Sequence, residues 1–121
     1  MEIVTSLNRI NTILQRFKGD KAQFFLYEIS HKKIAIRIVN NKTDNVIYLI
    51  LADCEYIQGI FSWNNPDLYV EKFFNEKKMD NLYRLVDKVA DFKLECLAGV
   101  VLVKGVEDDL GNSFENFLKQ K

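Results

Sequence analysis

The sequence predicts an α+β domain: a largely antiparallel sheet of about five strands, with N-terminal, late and C-terminal helices packed on it. Three observations carry this reading. Residues 22–63 hold successive short apolar segments separated by turn formers, the mark of strands that follow one another instead of alternating with helices. Helical spacing of apolar residues appears before and after that block. The chain has 121 residues and is 48% apolar, enough for one core and too short for two ordinary domains, so residues 1–121 form a single α+β domain.

The elements follow in order. In residues 3–17 the apolar positions Ile3, Val4, Leu7, Ile10, Ile13, Leu14 and Phe17 recur at helical spacing, and Gly19 with Asp20 ends the helix. Residues 22–30 and 34–39 are rich in Phe, Tyr and Ile, and a turn at residues 30–33 joins them as a hairpin. Turn formers at residues 40–45 precede a third strand, 46–51. A fourth strand spans residues 56–63 and is closed by Asn64, Asn65, Pro66 and Asp67; four strands in succession favour an antiparallel meander. Residues 68–75 lean towards a short strand or an irregular segment, although Pro66 and Asp67 would also suit a helix start. A second helix is expected over 79–90, where Leu82, Leu85, Val86 and Val89 form one stripe. Residues 92–103 read as one long strand bulged at Gly99, and 106–121 as a closing helix with Leu110, Phe114, Phe117 and Leu118 on one face.

Several strands are apolar at both parities, residues 24–27 and 46–51 above all, so either helices cover both sheet faces or a second copy does. A homodimer is therefore one expectation. The chain carries 17 basic and 17 acidic residues, and zero net charge weighs against a nucleic-acid binder despite Lys32, Lys33 and Arg37 and the pair Lys77 and Lys78. Apolar runs are far below the ~20 residues that cross a bilayer, which sets membrane insertion aside. The N-terminus lacks the pattern of a secretory signal. Cys54 and Cys96 are 42 apart and read as two buried thiols in a reducing cytoplasm. Plentiful Lys, Asn and Ile beside few Arg point to an AT-rich bacterial source.

No catalytic set emerges. His31 is the sole histidine and sits in a turn without a neighbouring nucleophile. Two separated cysteines and one histidine lack zinc-ligand spacing, and the five glycines form no phosphate-cradling motif, so no metal and no cofactor is implied. Asp108 and Asp109 suit the first turn of a helix. Asp53 and Glu55 flank Cys54 and should point to the face opposite the thiol.

The most distinctive stretch is residues 53–67, DCEYIQGIFSWNNPD. Tyr56, Trp63, Asn64 and Asn65 there combine large rings with amides at the end of a strand, the composition a protein interface uses. The string resembles strand-turn segments of small bacterial α+β proteins, including immunity-type proteins that neutralise a toxin by binding it. That resemblance implies a protein partner. The expected function is thus a small soluble, non-enzymatic protein acting by macromolecular binding, immunity-like or regulatory. The alternative is a small-molecule-binding protein or enzyme with a pocket between sheet and helices.

Overall fold

The computed structural model describes residues 1–17 and 19–106. It is mostly β, with 62% of the described residues in strands and 10% in one helix, which overturns the helix-rich α+β expectation. The elements are β1 (Glu2–Val4), α1 (Leu7–Phe17), β2 (Lys21–Glu28), β3 (Lys33–Val39), β4 (Asn45–Gln58), β5 (Ser62–Asn64), β6 (Tyr69–Asn75), β7 (Asp80–Asp87) and β8 (Phe92–Val106). The strands form one curled antiparallel sheet in the order β5-β2-β3-β4-β8-β7-β6, and β1 shares with β7 the second edge of β8.

Three corrections explain the difference. The expected N-terminal helix starts later, because residues 2–4 add a short strand to β8 that buries Val4 and sets Glu2 opposite Lys104. Helix α1 begins after Ser6, whose carbonyl accepts the Ile10 N–H at 2.9 Å. The expected late helix is strand β7. Its helical stripe is produced by two strand faces that are both partly covered. Tyr83, Leu85 and Asp87 alternate with Leu82, Arg84 and Val86 along the strand, and Leu82, Leu85, Val86 and Asp87 are all buried. On the second of these faces Arg84 binds Glu71 at 3.1 Å and Glu95 at 3.2 Å, its in-register neighbours on β6 and β8. The expected third and fourth strands are not two members of a meander. β4 runs without interruption to Gln58, and β5 turns back to pair with β2. The segment that leaned towards a strand is β6. The expected C-terminal helix, with Asp108 and Asp109, lies outside the described residues.

The core lies between α1 and the inner face of the curl. Ile10 is fully buried in one core cluster with Ile36, Leu49, Leu85, Leu94 and Leu102. Burying a single Leu or Ile side chain stabilises by about 1.5 to 3 kcal/mol, and the core holds many. Outward-facing Ala35, Val46, Tyr48, Ile50 and Val103 form a second buried cluster, so the two-sided apolar pattern does not by itself require a second copy.

Two polar fasteners hold the curl. The Asn11 side chain donates to Val70 O at 2.8 Å and accepts from Val70 N–H at 2.7 Å, tying α1 to edge strand β6. Asp87, 1% exposed, accepts from Trp63 Nε1 at 2.7 Å, Asp67 N–H at 2.8 Å and Ala90 N–H at 3.0 Å. It therefore joins edge strand β5, the β5–β6 connection and the β7–β8 turn.

Candidate functional site

β4 and β8 depart from regular pairing around their cysteines. Opposite Ala52 stands Gly99, opposite Cys54 stands Cys96, and opposite Tyr56 stands Glu95, so the register shifts on each side of Cys54. Asp53 takes a left-handed φ of 57° and Gly99 a φ of 113°. The β2–β3 turn is pinned to this irregular stretch, with Asp53 N–H donating to His31 O and Cys54 N–H to Lys32 O. Past the bulges, Gly59 adopts φ 135°, and a Cβ there would stand 2.8 Å from the Phe92 ring. Glycine is thus required for the chain to leave β4 over Phe92 and enter β5.

These distortions open a cavity of about 320 Å³ at this end of the sheet. Phe24, Ile34, Leu94 and Cys54 contribute to its lining, together with Tyr27, Tyr56, Ile57 and Phe61; Glu55 is the only carboxylic acid among the described lining residues. Phe24 and Phe61 meet edge to face at 5.7 Å between ring centroids. Large apolar side chains stand in solvent around it: Phe61 is 76% exposed, Ile60 56% and Tyr27 53%.

The expected placement of the acids changes here. Asp53 and Glu55 were to face away from Cys54, yet the double bulge breaks the alternation and brings Glu55 to the same cavity as the thiol. Glu55 also stands 3.6 Å from the Lys78 ammonium.

The four expected partner-binding residues do not form one surface. Tyr56 lines the cavity, is 47% exposed and donates its hydroxyl to Gln58. Trp63 is only 8% exposed, stacked on Phe92 at 4.6 Å and bonded to Asp87. It is a core residue. Asn64 and Asn65 are exposed at the end of β5, and Asn65, at φ 52°, donates its N–H to Asp20 O. Sequence reasoning missed Phe24, Tyr27, Ile57 and Phe61. A signal existed: apolar residues at both parities of 24–27 reflect the β2 bulge between Phe24 and Leu26, which lets Phe24 and Tyr27 line one cavity.

His31 does not head a relay. Its Nδ1 stands 2.7 Å from Glu28 Oε1 and 3.2 Å from Ser30 Oγ, so one nitrogen meets both groups, whereas a relay needs one nitrogen for each. Ser30 and His31 hydrogen bonds hold the Glu28 carboxyl down at about 2. The group closes the β2–β3 turn. Among the described residues no cluster of His, Cys, Asp and Glu could hold a metal ion, and no helix is long and apolar enough to cross a membrane.

Cys54, half-buried, and Cys96, buried, are free thiols. Burial pushes Cys54 up to about 12, aided by Cys96 beside it, and burial pushes Cys96 up to about 11. The ordinary value is 9.0, so the folded chain holds these protons more tightly than the unfolded chain. The resulting stability is complete below pH 9 and is lost as pH rises towards 11 to 12. Urea unfolding between pH 8 and 11 should show this loss, and replacing both cysteines by alanine should flatten it. An unchanged slope in the double variant would show that other groups are responsible.

Comparison with protein families, curated proteins and solved structures finds no match.

Proposed function

We propose that this chain is a small non-enzymatic binding protein that grips a partner protein with the aromatic rim and apolar cavity between β2, β4 and the β4–β5 turn. One observation carries the reading: Tyr27, Ile57, Ile60 and Phe61 stand exposed beside a cavity lined almost wholly by apolar side chains. Contiguous exposed apolar residues of this size on a folded domain mark an interaction site. An aromatic or aliphatic side chain of the partner would fill the cavity, and Tyr27 and Phe61 would be its anchors. An immunity-like or regulatory role, in which the partner is blocked or held, fits such a grip. Two thiols paired in register but unlinked support action in the reducing cytoplasm. A second reading, a small-molecule pocket, draws support from the volume of about 320 Å³, at the lower end of ligand cavities.

Capture experiments separate the two. Wild type and the Tyr27→Ser/Phe61→Ser variant, both tagged, are used to draw proteins from native-host lysate at moderate salt. A protein held by wild type should be lost at least about tenfold by the variant, whose thermal midpoint stays close to wild type. Equal capture by both chains would overturn the site assignment. Capture of small apolar molecules alone would favour the second reading.

A further inference from the structure

The opposite end of β4 carries a second cavity, of about 350 Å³, where the end of α1, the β3–β4 turn and β8 meet. Among the described lining residues the two charged ones are cationic: Arg16 from the last turn of α1 and Lys104 from β8. Neither has an ion-pair partner among the described residues. Among the described residues the nearby acids are otherwise placed: Glu2, opposite Lys104 in register, binds Arg9 at 3.1 Å; Asp20 accepts the Asn41 N–H; and Asp44 lines a neighbouring cavity.

The polar remainder of the lining comes from Asn40, Thr43 and Asn45. Asn40 Oδ1 accepts the Lys42 N–H and Thr43 Oγ1 accepts the Asn45 N–H. These bonds occupy acceptors and leave the Asn40 amide N–H groups and the Thr43 hydroxyl proton as donors. The apolar part of the lining comes from Ile13 and Phe17. Two positive charges, several hydrogen-bond donors, no carboxylate among the described lining residues and two apolar side chains match one ligand chemistry. We infer that this cavity binds a small phosphate monoester bearing an apolar or aromatic group, with the phosphate on Arg16 and Lys104 and the apolar group on Ile13 and Phe17. A doubly charged phosphate balances two cations, whereas a carboxylate balances one. The planar guanidinium of Arg16 can hold two phosphate oxygens at once.

The test is an amide-shift NMR titration of the whole chain with phenyl phosphate, inorganic phosphate and benzoate at constant ionic strength. Phenyl phosphate should give saturable shifts at Arg16, Thr43, Asn45 and Lys104, at least about fivefold tighter than benzoate or inorganic phosphate. Arg16→Gln and Lys104→Gln should each weaken it by about fivefold or more, with the remaining spectrum showing that each variant is folded. Shifts that do not saturate, benzoate binding as tightly as phenyl phosphate, or affinity unchanged in both variants would each overturn the proposal. Inorganic phosphate binding as tightly as phenyl phosphate would remove the apolar part of the ligand and overturn the proposal as stated.

Discussion

Asp87→Ala is expected to destabilise the chain by about 3 to 5 kcal/mol, a large share of the roughly 5 to 15 kcal/mol that holds a small domain folded. The carboxylate is 1% exposed and accepts three hydrogen bonds, from the Trp63 indole and the Asp67 and Ala90 amides. Alanine leaves all three donors without an acceptor. The indole is the most affected, because Trp63 is itself buried and water has little access to it. Asp87→Asn should cost roughly half as much. One oxygen remains to accept, while the new amide group turns a donor towards a donor. Urea unfolding checks this: the midpoint should fall with the slope unchanged. A loss below about 1 kcal/mol for Asp87→Ala would show that Asp87 does not hold edge strand β5 and the β5–β6 connection to β7.

Phe92→Ala should cost about 3 to 5 kcal/mol for a different reason. Phe92 is 2% exposed, lies 4.6 Å from Trp63 and is crossed by the backbone at Gly59. Removing the ring opens a void beneath both the β4–β5 turn and the indole, and the closely set backbone limits how far the site can collapse. The Asp87 and Phe92 substitutions share Trp63, so the double variant should lose less than the sum of the two. Additive losses, measured by the same unfolding transition, would mean that the indole does not couple them.

What could be read from the sequence follows from which residues carry a single meaning. Alternating Ile34, Ile36 and Ile38, and a long apolar run around Gly99, have one reading each, and β3 and the bulged β8 correspond to them. Residues 79–90 carry two. Leu82, Leu85, Val86 and Val89 fit a helical stripe, and the burial of Asp87, which marks the strand, depends on a Trp 24 positions away. Residues 2–4 likewise extend a helical pattern, but burial of Val4 beside β8 prevails over local spacing. The aromatic string around Tyr56 and Trp63 was visible as distinctive. Its division into a buried fastener, Trp63, and a cavity wall, Tyr56, depends on the bulges around Cys54 and on β5 crossing to β2; of these only the irregularity at Gly99 leaves a local pattern.

The claim that the aromatic rim is a protein-binding surface is tested most directly by replacing Phe61 with a photo-crosslinking phenylalanine analogue and irradiating the chain in native-host cells. Ile3, also partly exposed but beside the other end of β8, serves as the control position. A discrete heavier adduct from position 61 and none from position 3 is the predicted result. No adduct at position 61, or the same adducts from both positions, would contradict it.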